Sequence, residues 1–471
     1  MRFLLFIPFA IWPQAAFAAP ALDGGSMSWP LGLPFAGLLL TIAVGPLLFP
    51  KFWHAHYGKI AVLWSVLALV PLAIGFGPQT AFAAFVHAAV AEYASFIILL
   101  FALYVVAGGI LVTGQIRATP VNLTVMLALG AGMASFVGTT GAAMILIRPF
   151  LRAVEPRRHR VHAIVFFIIL VANVGGALTP LGDPPLFVGF LHGVDFFWTA
   201  RNIWLQTLIV AVSLLIVFLL LDMCMSRGDA AARAPKTPGM NIRVRGGINL
   251  VLIAGIVACI LGSAFWKPGI SFDIFGTIVE LQKALSALAL IVIALLSLWL
   301  TPDEHRESNG FSFEPIREVA ILFAGIFTAI IPVLAMLQAG KAGPFAFLLT
   351  AVTAKDGLPH EAAYFWLTGM LSAFLDNAPT YLVFFELAGG DANELMGPLA
   401  GTLSAISMGA VYMGALTYIG NAPNFMVRAI AEEQAIAMPS FFAYLGWAAL
   451  ILLPLFLLLT LLPVSPLLRL S

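Results

Sequence analysis

Gly176-Ala177-Leu178-Thr179-Pro180-Leu181-Gly182-Asp183-Pro184-Pro185 returns 238 residues further on as Gly414-Ala415-Leu416-Thr417-Tyr418-Ile419-Gly420-Asn421-Ala422-Pro423. Upstream, Gly132-Met133-Ala134-Ser135 matches Gly369-Met370-Leu371-Ser372 at nearly the same displacement. Two matches at one displacement identify an internal repeat. Each long segment interrupts an apolar block with Gly, Thr and Pro, so each reads as a helix broken in its middle. Inside a membrane such a break is tolerated where neighbouring helices or a polar cavity satisfy the freed backbone groups.

Composition sets the medium. Of 471 residues, 61% are hydrophobic and 10% charged, and the mean hydropathy is +1.02. A soluble domain carries about 25% charged residues. The chain therefore reads as an integral membrane protein with room for roughly a dozen crossings at about 20 residues each. The net charge of +1, without a long basic run, excludes nucleic acid as a partner and leaves the lipid bilayer. Cys224 and Cys259 belong to separate apolar segments, where neither a disulfide framework nor a CxxC metal site can be built. Transporter, channel, membrane-embedded enzyme and passive scaffold remain.

At the N-terminus, Met1-Arg2, a short apolar stretch and Ala16-Phe17-Ala18 predict a bacterial signal peptide over 1–18 with a mature start near Ala19. Simple spans are predicted at 31–49, 60–76, 93–112, 203–221, 248–265, 284–300, 319–337 and 439–462. Longer blocks cover 120–151, 161–199, 362–387 and 397–427. The 30 residues between Arg117 and Arg148 make about 45 Å of helix, whereas two crossings need about 60 Å. Arg117 before the block, and Arg148, Arg152, Arg157, Arg158 and Arg160 after it, place both its ends in the cytoplasm. A re-entrant hairpin meets both conditions. The block 161–199 reads as one crossing by a broken helix, because the loop after the next span carries Arg227, Arg233, Lys236, Arg243 and Arg245.

The domain organisation that follows is a first repeat over 19–222, a cytoplasmic linker over 223–247 and a second repeat over 248–471. Each repeat holds three spans, a hairpin (120–151, 362–387), a broken helix (161–199, 397–427) and a final span. An odd number of crossings inverts the second repeat relative to the first. The expected fold is an all-α polytopic membrane protein of two inverted-topology repeats. Such repeats with paired broken helices are the architecture of secondary transporters, with the site at the breaks near the midplane. A pore does not require that duplication.

The hairpin tips are Gly138-Thr139-Thr140-Gly141 and Leu375-Asp376-Asn377-Ala378-Pro379-Thr380. Tips and breaks together supply the candidate ion or substrate ligands Thr139, Thr140, Thr179, Gly182, Asp183, Asp376, Asn377, Thr380, Thr417, Gly420, Asn421 and Asn424. Sodium is bound by such hydroxyl, amide, carboxylate and unwound carbonyl oxygens, aided by half-helix termini. Asp183 and Asp376 are the acids placed near the midplane, and they are the candidate proton-coupling groups. The plainer reading of each is a helix cap. His54 and His56 are expected on a basic cytoplasmic loop, 302–318 as a solvated loop, and Glu92, His192, Asp195 and Glu386 at the membrane interfaces. No Ser-His-Asp, HExxH or Gly-rich phosphate loop stands in a suitable context, so no catalytic residue and no cofactor is expected beyond sodium and protons. An intramembrane hydrolase is the remote alternative.

At Asn173-Val174-Gly175-Gly176 through Asp183-Pro184-Pro185, and at Asp376-Asn377-Ala378-Pro379-Thr380, the chain resembles the ion transporter superfamily. That group contains NhaD-type sodium/proton antiporters, citrate-metal transporters, arsenite permeases and divalent anion/sodium symporters. The resemblance runs over nearly the whole mature chain and is nearest to the NhaD-like and citrate transporter sequences. It implies a homodimer in the bacterial inner membrane, a scaffold of early helices from each half, and a transport part that moves like an elevator. The dicarboxylate branch holds sodium and carboxylate with Ser-Asn-Thr at both tips; here Thr139-Thr140 and Asp376-Asn377 stand instead. No Lys or Arg lies at any break, the nearest being Arg428. A polyanion needs such clamps and is repelled by carboxylates. Exchange of sodium or lithium for protons is therefore expected, with coupled uptake of citrate or another carboxylate as the alternative.

Overall fold

A computed structural model describes residues 22–114, 116–227, 243–354 and 357–461. The expected signal peptide and mature start, and most of the 223–247 linker, lie outside the described residues. Among the described residues eight helices are long and apolar enough to cross a membrane. The count is nine if Glu314–Ala329 and Ile331–Gln338, bent by 41° at their junction, form one span. The chain is an all-α polytopic membrane protein. Among the described residues the strands form two small antiparallel ribbons, Leu111–Thr113 with Arg243–Arg245 and Ser271–Ile274 with Thr277–Glu280.

Three boundaries differ from the expected ones, each for a physical reason. The second helix runs Pro50–Phe76, so Lys51, His54, His56 and Lys59 lie within it rather than on a loop. Basic residues end an apolar run without ending a helix, and Pro50 stands in its first turn, where proline is favoured. The third span covers Pro78–Gly108 and includes a π-helical segment, Ala88–Ala94, that carries Glu92. The charged stretch 302–318 is ordered: Asp303–Ser308 is helical and Arg306 is buried. Arg306 donates to the Val105 carbonyl at 2.7 Å and the Ser297 carbonyl at 2.9 Å. Asn309 donates to Ile110 at 2.7 Å. These bonds stitch the end of one early span to the neighbouring span of the other half.

The two long blocks at 120–151 and 362–387 fold back on themselves. Pro120–Val137 and Thr139–Val154 meet at Gly138, whose φ of 81° favours glycine, and Gly130 of the first arm lies against Leu146 of the second. Glu361–Phe374 and Asn377–Leu387 turn at Leu375-Asp376, which brings the rings of Tyr364 and Phe384 to 6.3 Å. The broken helices are Val161–Leu170 followed by Pro184–Leu191, and Ala400–Met413 followed by Ala422–Glu433. Both second halves begin with proline in the first turn, whose missing N–H leaves no orphan donor. The loops between them share a pair of bonds. Thr179 donates to the Ser135 carbonyl and accepts from Leu181 N at 3.2 Å; Thr417 donates to the Ala373 carbonyl and accepts from Ile419 N at 3.2 Å.

Packing sorts the helices into two groups. Leu33–Leu48, Pro50–Phe76, Pro78–Gly108, Ile248–Phe265, Leu281–Leu300 and Glu314–Ala329 pack chiefly on one another. The hairpins, the broken helices, Trp204–Met225 and Phe441–Leu461 make the other group. Apolar rings join the two: Phe187, just past the first break, lies 6.3 Å from Phe96, which stacks on Phe323 at 4.7 Å.

Candidate functional site

The four interrupted elements meet at Asp183. Only glycine can precede it, because this loop crosses itself: a Cβ at Gly182 would sit 2.2 Å from the Gly176 carbonyl oxygen, and one at Gly420 would sit 2.6 Å from that of Gly414. Asp183 is then left in extended backbone, with its side chain free of any cap bond. It turns into the protein instead and is 1% exposed.

Its two oxygens collect donors from the other three elements. Oδ1 accepts from the Thr139 hydroxyl at 3.0 Å and from Asn421 Nδ2 at 3.0 Å, and Oδ2 accepts from Asn377 Nδ2 at 2.6 Å. Thr139 and Asn377 open the second arms of the two hairpins; Asp183 and Asn421 precede the second halves of the two broken helices. All four are buried. The backbone closes the same knot, since Thr139 N donates to the Gly182 carbonyl at 2.8 Å.

A chain of amides continues from Asn421. Its Nδ2 also reaches the Ala172 carbonyl at 3.1 Å and Asn173 Oδ1 at 3.3 Å. Asn173 Nδ2 donates to Asn424 Oδ1 at 2.7 Å, and Asn424 Nδ2 donates to the carbonyls of Gly414 and Thr417, both at 2.8 Å. Asn173 was not among the residues expected to bind, although it lies in a motif visible in the sequence. The position 238 residues on is Val411, so the repeat offered no polar match to draw attention to it.

The remaining expected residues divide. Thr179, Thr380, Thr417 and Gly420 support the loops and tips: Thr380 Oγ1 donates to the Asp376 carbonyl at 3.0 Å, and Gly420 N donates to Thr417 Oγ1 at 3.1 Å. Thr140 is half-buried and joins none of these bonds. Asp376 is half-buried and accepts from Ala378 N at 3.2 Å, which makes it a helix cap. Arg428, the basic residue nearest to a break in the sequence, is occupied elsewhere: it lies 4.6 Å above the Tyr418 ring and donates to Glu432 at 2.9 Å.

Chemically the site is one desolvated carboxylate ringed by neutral groups. Each ringing side chain carries an oxygen as well as a donor, and Asn377 Oδ1 is buried without a partner. Turning either amide would present oxygen to a cation held on Asp183. Asn377 Oδ1 is one of several buried polar atoms without a partner among the described residues, and what sets it apart is that its own amide donates to the Asp183 carboxylate.

Relatives in three mycobacteria align over two thirds of the chain. Uncharacterized transporters of Mycobacterium bovis and Mycobacterium tuberculosis are each 24% identical over 328 residues, 67% of this chain and 71% of theirs. A 46 kDa membrane protein of Mycobacterium leprae is 23% identical over 329 residues, with the same coverage. Residues 24–464, from before the first span to the last, match the family described as "Putative citrate transport", and the chain belongs to that family.

Proposed function

We propose that this protein is a secondary active transporter that exchanges sodium or lithium for protons across the bacterial inner membrane, with Asp183 as the carboxylate both ions share. The observation that carries the reading is the ring around Asp183: neutral oxygen-bearing side chains from two tips and one break, with no Lys or Arg among them. A carboxylate can pair with a proton or with a sodium ion but not with both, so the two compete for it. Asn377 Oδ1, the Thr139 hydroxyl and the Gly182 carbonyl are the next oxygens within reach of a bound cation. The matched loops at a displacement of 238 residues support a repeat, which the parity of crossings makes an inverted one, and the two packing groups support a scaffold with a moving part. The homodimer is what the family resemblance implies.

Coupled citrate uptake is the second reading, favoured by the family's description. There the tips and amides would hold the anion, and Asp183 would bind the coupling cation. One experiment separates the two. In everted vesicles the exchange reading expects a pH-sensitive dye to report proton movement on addition of sodium or lithium salts, lost in Asp183→Asn. Sodium-dependent uptake of labelled citrate by the wild type, without sodium-driven proton movement, would overturn exchange and leave citrate.

A further inference from the structure

Two spans of the early group, Ile248–Phe265 and Leu281–Leu300, pack on each other and are joined by the ribbon Ser271–Ile274 with Thr277–Glu280. Between their ends and the second half of the first broken helix, Pro184–Leu191, lies a cavity of about 290 Å³. Ile260, Phe265 and Leu290 wall it on the early side, and Phe187, Phe190 and Leu191 on the other. Lys267 and Lys283 line it as well.

The cavity is charged at one end and apolar at the other, in the direction that the two spans run. Lys267 stands two positions after the last residue of Ile248–Phe265, and Lys283 lies in the first turn of Leu281–Leu300. Ile260 is five residues inside the first span and Leu290 seven past Lys283, which makes about 8 and about 10 Å of helix. The ribbon marks the level of the lysines independently, since Trp266 and the ribbon residues Phe272 and Ile278 are exposed. Tryptophan collects where hydrocarbon meets water. The mouth opens onto the lipid-facing surface: Phe265 lines the cavity and is 70% exposed, and Leu285 and Leu288 of the other span are exposed too.

Of the charges that line the cavity, Glu280 is paired to Lys283 at 3.1 Å and Asp195 lies 3.5 Å from Arg201. Lys267 is exposed and has no ion-pair partner among the described residues. Its place runs against the usual bias of basic residues. One span separates it from Arg243 and Arg245, so the rule that keeps those two inside is expected to put Lys267 and Lys283 outside.

We propose that this cavity binds one anionic phospholipid, with its phosphate on Lys267 and Lys283 and an acyl chain between Phe190 and Leu290. A soluble anion matches the lysines and leaves the apolar walls wetted, whereas a lipid satisfies both ends. The exposed Lys283–Glu280 pair costs little to open. The lipid sits between the two packing groups, and the site is independent of which ion or anion the protein carries.

The test is native mass spectrometry of the purified full chain, titrated in detergent with phosphatidylglycerol. The wild type is expected to retain one lipid per chain. Lys267→Gln is expected to weaken retention about fivefold, the effect of one basic residue at an anionic surface, and Lys267→Arg to preserve it. Ala287→Trp, which fills the cavity, is expected to abolish it, while Leu288→Trp, on the exposed side of the same helix, leaves it unchanged. No lipid on the wild type, unchanged retention in Lys267→Gln or in Ala287→Trp, or an equal loss in Leu288→Trp overturns the site. A change of oligomeric mass in Ala287→Trp with the lipid still bound overturns it too, and makes a second copy of the chain the occupant. If Ala287→Trp does not insert, the exposed Lys267→Gln and Lys267→Arg variants decide alone.

Discussion

The Asp376 carboxylate accepts from Ala378 N and so closes the N-terminus of Asn377–Leu387, while the Asp183 carboxylate makes no cap bond and spends both oxygens on side chains. The two acids can therefore be separated by substitution. Asparagine caps a helix as well as aspartate does, whereas alanine loses about 1 kcal/mol. Asp376→Asn should keep both the thermal midpoint of the purified protein and exchange, and Asp376→Ala should lower the midpoint. Loss of exchange in Asp376→Asn at an unchanged midpoint would make Asp376 an ion ligand as well as a cap. Sequence pattern singled out both acids and the three asparagines Asn377, Asn421 and Asn424 at the tips and breaks, because polar residues are rare in apolar blocks. It could not rank them, since a cap and an ion ligand differ only in where the carboxylate points. Asn173 escaped for another reason: it bridges the two breaks and so has no counterpart in the repeat.

Loops that cross themselves place the breaks, and this is a property of elements rather than of single ligands. A Cβ at Gly182 or Gly420 would press on backbone carbonyls that cannot swing aside, while one at Gly132 meets nothing within 4 Å. Gly182→Ala and Gly420→Ala should each destabilise by about 1–3 kcal/mol, seen as a lower midpoint in detergent. Gly132→Ala, in a helix interior, should be neutral or slightly stabilising. Equal midpoints for all three would mean that the loops have slack. This part of the fold was legible because both copies need glycine at the same crossing. A second anchor was not. Buried Asp222 accepts from Arg157 at 2.5 Å and contacts His162 Nε2 at 2.8 Å, tying Trp204–Met225 to the start of the first broken helix. A count of flanking charges treats Arg157 as one more solvated cation. Asp222→Ala leaves that guanidinium buried and unpaired, and a loss of about 3–5 kcal/mol is expected from the same melting experiment.

Across the whole molecule, hydropathy located the spans, because a bilayer demands long apolar runs, but it set the second and third too short, at 60–76 and 93–112 against Pro50–Phe76 and Pro78–Gly108. The joints between the halves were invisible: Arg306 and Asn309 sit in a charged stretch that looks solvated, yet they bond the ends of early helices from both halves. Orientation relative to the membrane follows from neither packing nor hydrogen bonding, so it rests on charge. The arginines after the first hairpin predict that Arg152 is cytoplasmic. If hairpins return to the side they enter from, an odd number of crossings per repeat is expected to put the end of the second hairpin, at Asp391, outside. Both residues are exposed, which makes them accessible to a label. With Cys224 and Cys259 replaced by serine, single cysteines at 152 and 391 should react with a membrane-impermeant maleimide from opposite faces, 152 only in everted vesicles and 391 only in right-side-out ones. Labelling of both from one face would mean an even number of crossings between them, and the repeats would then be parallel rather than inverted.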